Sequence, residues 1–100
     1  MSAYVIFNNR VTDPDGMAKY LPKAMETLAP FEPEFLVLDE QAQVLEGTPE
    51  FPRMVVIKFK SRKDAEQWYN SPEYREVLPL RLEATEGFGF LVDQWEPPSA

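Results

Sequence analysis

The segment RMVVIKF, Arg53 to Phe59, constrains the fold more than any other part of the chain. It is dense in β-branched residues and follows the loop TPEFP, the pattern of a β-strand. Successive side chains of a strand point to opposite faces, yet Met54, Val55, Val56 and Ile57 are apolar on both. A sheet with one face in water alternates apolar and polar residues instead. This strand therefore needs cover on two sides.

The rest of the chain sets out what cover is available. AYVIFNNRV is a first strand, with Val5, Phe7, Asn9 and Val11 on one face and Tyr4, Ile6, Asn8 and Arg10 on the other. Asp13 can cap a helix that has Pro14 at its first position, where the missing N–H costs nothing. DPDG at Asp13–Gly16 touches the start of a calcium loop but lacks its later ligands, and is a helix start. Met17, Tyr20, Leu21, Ala24, Met25 and Leu28 recur at helical spacing. Pro22 inside this helix predicts a kink and a freed carbonyl at Ala18, and Pro30 and Pro33 end it.

EFLVLD is a second strand, and QVLEG after it is either a bent extension or a short arm. Beyond the Arg53–Phe59 strand, Ser61 and Asp64 form a capping box. Ser71 caps a second half-helix with Pro72 first inside it. After Gly87, FGFLVDQW reads as the last strand, with Phe88, Phe90 and Val92 alternating against Leu91 and Trp95, and EPPSA as a frayed tail. The order β-α-β-β-α-β, its second helix broken at Ser71-Pro72, is the ferredoxin-like plan: a four-stranded antiparallel sheet with helices on one face. No element is left for the other face. Pairing of two sheets across a twofold axis, as a dimeric α/β barrel, is the economical cover. The reading is one domain over residues 1–96 and a tail over 97–100, in a homodimer.

Composition bounds the chemistry. There is no cysteine and no histidine, so thiol catalysis, Ser-His pairs, disulfides and thiolate or imidazole metal sites are excluded. No resident metal or cofactor is expected. The net charge is -7, and between Lys23 and Arg53 seven acids occur without a cation, while the other ten match the ten bases. Phosphate-backbone binding is disfavoured, so nucleic acid is not an expected partner. The acidic belt reads as protection of a sheet edge. No run approaches the roughly 18 apolar residues of a membrane span, and the N-terminus lacks a basic stretch ahead of its short apolar run. A cytoplasmic protein without membrane attachment is the expectation.

AYVIFNNRVTDPDGMAKY, VLEG, RMVVIKFKS, AEQWYNSPEYREVLPLR and GFGFLVDQ together resemble the uncharacterised family named domain of unknown function 1330 (DUF1330), over nearly the whole chain. The element W-Y-x-S-P-x-Y, from Trp68 to Tyr74, is the most specific part of the likeness. The resemblance implies the dimeric α/β-barrel superfamily. Other branches of it include cofactor-independent monooxygenases, muconolactone-type isomerases and chlorite-dismutase-like haem enzymes. The haem branch does not suit a chain without histidine. One fold hosts many functions, so the resemblance implies fold and dimer but no particular reaction.

The candidate site residues lie around that same element. Tyr69 and Tyr74 are either core residues with satisfied hydroxyls or substrate-binding residues, and Trp68 is a core residue. In the second half-helix Tyr74, Val77, Leu78, Arg81 and Leu82 share a face, and Pro79 is expected to bend or end the helix just before Arg81. Arg81 breaks the stripe: either its stem packs while its head reaches water or a carboxylate, or it receives an anion through its planar fork. Glu46, between apolar residues and a glycine, is a binding and proton-acceptor candidate, one more member of the acidic belt, or an ion-pair partner of Arg81 or Arg53. Asn8 and Arg10 are expected at the sheet's rim. Three functions fit: a cofactor-free enzyme acting on a small organic acid in a cleft between sheet and helices, a non-catalytic small-molecule binding or sensing dimer, or a structural dimer with a filled cleft.

Overall fold

In the computed structural model, which describes residues 1–99, the chain forms β1 (Ala3–Val11), α1 (Pro14–Leu28), a single 3-10 turn (Ala29–Phe31), β2 (Glu34–Asp39), β3 (Arg53–Phe59), α2 (Arg62–Asn70), α3 (Pro72–Ala84) and β4 (Thr85–Asp93). All pairings are antiparallel, in the order β2-β3-β1-β4. This is the ferredoxin-like arrangement expected from the element order. Ala100, the last residue of the expected tail, lies outside the described residues.

Local chemistry explains the boundaries. The Asp13 carboxylate accepts from the Gly16 amide at 3.1 Å and starts α1. The Ser61 hydroxyl accepts from the Asp64 amide and starts α2. Ser71 serves two helices at once: its hydroxyl donates to the Trp68 carbonyl at 2.8 Å, closing α2, and accepts from the Tyr74 amide at 3.2 Å, opening α3. That double role accounts for the break at Ser71-Pro72, because a proline at the first helical position has no amide to leave unsatisfied.

Two expectations change. Helix α1 runs through Pro22, which lies inside it as expected, while α3 continues through Pro79 to Ala84 instead of ending before Arg81. Both prolines lie on the exposed side of their helices, where water can take the carbonyl each one frees. Strand β4 begins at Thr85, two residues before Gly87, and stops at Asp93, leaving Trp95 outside it and exposed. It starts early because Thr85 and Glu86 find partners in Val11 and Arg10. Gly87, opposite Asn9, has φ +146°, and a Cβ there would sit 2.3 Å from the Asn8 carbonyl oxygen. Only glycine lets the two strands approach so closely at that point.

The core lies between the sheet and the helices. Val5, Phe7, Val55, Ile57 and Phe59 point into it from the sheet, and Met17, Tyr20, Ala24, Leu28, Ala65, Trp68, Tyr74, Val77 and Leu78 from the helices. Leu21 and Met25, read as part of the buried stripe of α1, flank it instead and remain exposed. Phe59, Trp68 and Tyr74 are its largest fully buried side chains. The Trp68 indole N–H donates to Thr27 Oγ1 at 3.0 Å, satisfying its polar edge.

The opposite face of the sheet has no cover. Tyr4, Ile6, Met54 and Val56 are half-buried there, while Phe88 is 59% and Phe90 53% exposed. The Cα dimensions of 50 × 37 × 16 Å fit two layers and no third. Residues between Asp39 and Arg53 form an arm, the second of the two forms open to QVLEG. Its base is tied to β1: the Asn8 amide donates to the carbonyls of Phe51 and Arg53, each at 3.1 Å, and Arg10 donates to that of Glu50 at 2.7 Å. Its tip presents Leu45, 87% exposed. Among the described residues no helix is long and apolar enough to cross a membrane.

Candidate functional site

Every polar group buried between the sheet and the helices must find a partner or water. Three such side chains are buried: Asn9, Arg53 and Arg81. Arg53 is matched within the fold. Its guanidinium donates to Asn9 Oδ1 at 3.2 Å and lies 3.3 Å from the Glu40 carboxylate. Arg81 is not matched in the same way. It is only 7% exposed, yet no carboxylate among the described residues pairs with it.

The geometry around Arg81 is specific. Its Nε donates to the Tyr74 hydroxyl at 3.2 Å, and Tyr74 shares a 2.7 Å hydrogen bond with the Tyr20 hydroxyl. The guanidinium carbon lies 4.3 Å from the centre of the Phe7 ring, a cation–π arrangement. The remaining guanidinium nitrogens make no hydrogen bond among the described residues, where no buried side-chain nitrogen or oxygen is left without a partner. Those nitrogens therefore face open space. Burial lowers the pKa of Arg81, the Tyr74, Tyr20 and Tyr69 oxygens raise it, and the net shift is upward, so the cation persists. Burial first, and then the Tyr74 oxygen, push the Tyr20 hydroxyl well above the usual phenol range.

The open space is a cleft of about 370 Å³ between β1, β4, α2 and the end of α3. It falls inside the roughly 300–1,000 Å³ typical of small-molecule sites. Phe7, Leu91 and Tyr69 supply its apolar wall, and Arg81, Asn9, Thr85, Asn70 and Glu66 its polar groups. Gly87 and Gly89 lie on the inner face of β4 and leave room where side chains would otherwise project. A smaller cavity of about 70 Å³ lies on the α1 side and shares Phe7, Asn9 and Arg81 with the cleft.

The residues singled out from the sequence are partly brought together. Arg81 and Tyr69 line the cleft. Tyr74 does not line it: it is fully buried behind Arg81, stacked 4.2 Å from Trp68, and holds the guanidinium in place. Glu46 is not near the site. It is exposed in the arm, makes no ion pair with Arg81 or Arg53, and leaves Arg53 to Glu40. Its neighbours in sequence are apolar, but the arm carries all of them into solvent. Asn9, Glu66, Asn70 and the two glycines were not singled out. Alternation in Gly87-Phe88-Gly89-Phe90 places both glycines on one face, and Glu66 follows the buried Ala65 by one residue, so part of that signal is present in the sequence. Among the described residues no group of three or more acidic, histidine or cysteine side chains gathers to hold a metal.

A search of curated protein sequences returns no match. Among solved structures, a protein of unknown function from Rhodopseudomonas palustris superposes with a TM-score of 0.77 at 15% identity, covering 96% of this chain and 84% of its own. A protein of unknown function from Thermobifida fusca, described as dimeric and ferredoxin-like, gives 0.60 at 15%, covering 94% and 92%. SnoaB from Streptomyces nogalater, described as a cofactor-independent oxygenase, gives 0.58 at 7%, covering 96% and 93%. At these identities the likeness is one of fold. The sequence itself matches the profile described as "Domain of unknown function (DUF1330)" over residues 2–95, and the chain belongs to that family.

Proposed function

We propose that this protein works as a homodimer that binds a small organic acid in the cleft between sheet and helices. Arg81 holds the carboxylate through the unpaired nitrogens of its guanidinium, and Tyr69, Phe7 and Leu91 pack against the apolar body. The observation that carries this reading is a buried cation, without a counter-ion among the described residues, facing a cleft large enough for a ligand. A buried charge is destabilising unless paired, and an incoming carboxylate supplies the pair with bidentate geometry. The volume of the cleft argues against a purely structural dimer with the space filled by side chains. The uncovered apolar face of the sheet supports the dimer, as does the description of the Thermobifida fusca protein as dimeric.

A thermal-shift screen of small aromatic and aliphatic acids, wild type against Arg81→Met, tests the reading. Methionine keeps the packed stem and removes the fork. A binding acid raises the melting temperature of the wild type by mass action. Loss of the charged contact weakens affinity by about 2–5 kcal/mol, which abolishes the shift in the variant. Arg81→Lys falls between them, since it keeps the charge and loses the planar geometry. Acids that shift both proteins equally, or neither, overturn the proposal. A cofactor-free enzyme is the second reading. It is favoured by the Tyr20–Tyr74 hydroxyl pair that ends on Arg81, and conversion of a bound acid, followed by mass spectrometry, separates it from binding alone.

A further inference from the structure

The cleft carries opposite charges at separate points along it, Arg81 and Glu66. Strand β4 runs along its floor, with Thr85 at one end, where its hydroxyl donates to the Arg81 carbonyl at 2.8 Å. Asp93 ends the strand and binds Arg62 Nε at 2.8 Å, which fixes the first turn of α2 over that end. Glu66 stands one turn further along α2 and is the one carboxylate among the residues lining the cleft. The Arg81 guanidinium sits over Phe7, whose partner on β4 is Gly89. A strand advances about 3.3 Å per residue, so the two to four residues from Gly89 to the Leu91–Asp93 end span roughly 7–13 Å. One aromatic ring with a hydrogen bond at each end fits between the two charges.

Glu66 is not neutralised there. Arg62 lies 3.9 Å from it but is held more closely by Asp93, at 2.8 Å. Arg75 stacks 4.7 Å from the centre of the Tyr69 ring and donates to Asn70 Oδ1. An ionised carboxylate only accepts hydrogen bonds. It favours a hydroxyl or ammonium group on the far end of a ligand and repels a second carboxylate.

Resting on the acid-binding reading, we propose that Glu66 sets the specificity of the cleft: it takes acids with a hydrogen-bond donor opposite the carboxylate, such as a hydroxylated aromatic acid, and rejects dicarboxylates. The experiment is calorimetric titration of wild type and Glu66→Gln with benzoate, 4-hydroxybenzoate and benzene-1,4-dicarboxylate at low and high salt. Glu66 is exposed and makes only the long contact to Arg62, so the variant keeps the fold, checked by circular dichroism. The wild type is expected to bind 4-hydroxybenzoate about five- to tenfold tighter than the dicarboxylate, a difference of ~1–1.4 kcal/mol. That preference shrinks in Glu66→Gln and in high salt, with benzoate binding unchanged. Equal binding of the two para-substituted acids by wild type, or a ratio that Glu66→Gln leaves intact, overturns the specificity while leaving acid binding in place. Failure of all three acids to bind the wild type overturns both.

Discussion

Val55 and Val56 are neighbours in β3 that point to opposite faces, which makes them a paired test of how the sheet is covered. Val55 is buried against the helices, whereas Val56 lies on the uncovered face between Ile6 of β1 and Val37 of β2. An aspartate at position 56 stays hydrated in a lone protomer, so folding there is little disturbed. In a dimer joined through this face it becomes an uncompensated buried ion, at about 3–5 kcal/mol. A twofold axis brings in two copies, so association loses about 6–10 kcal/mol. At 1.4 kcal/mol per decade the dissociation constant rises at least about ten-thousandfold. Sedimentation equilibrium at micromolar concentration is expected to give about twice 11.6 kDa for wild type and a folded monomer for Val56→Asp. Val55→Asp places its charge in the core and is expected to unfold the chain outright. A Val56→Asp protein that sediments as a dimer with wild-type affinity, or a wild type that is a stable monomer, refutes the reasoning.

Two further outcomes concern the tyrosines behind the cleft. Tyr74→Phe leaves Arg81 Nε and the Tyr20 hydroxyl without their partner, at about 1–3 kcal/mol for each group left unpaired. Urea unfolding should show a lower midpoint with an unchanged slope, and the acid-induced thermal shift should shrink because the guanidinium is no longer held. The raised pKa of Tyr20 makes stability depend on alkaline pH. The unfolded chain loses this proton near pH 10 while the native state keeps it, so the contribution is complete below pH 10 and is lost as pH rises above it. Melting temperatures measured across that range should fall, and Tyr20→Phe should flatten the fall.

The sequence by itself determined the elements and their order, because the signals for these are local. Periodicity, caps and the break at Ser71-Pro72 act over a few residues, and β1, β2 and β3 were read at the boundaries the structure has. The double apolar face of Met54–Ile57 likewise exposed the need for a second cover. Where neighbours across the sheet decide, the local reading slipped. Strand β4 began three residues early because Val11 and Arg10 were there to pair with it, and Pro79 did not end α3 because its side of the helix faces water. The site depended most on tertiary structure. Arg81 was visible as a misplaced cation, but a sequence carries no distances, so its lack of a carboxylate partner, and the exclusion of Glu46 from its surroundings, emerged only from packing. The cleft is a property of what is missing between elements: two glycines on β4, a short α2, and a gap beside Phe7. Residues remote in sequence define that gap together, with Glu66 and Arg81 brought into one cleft from two helices.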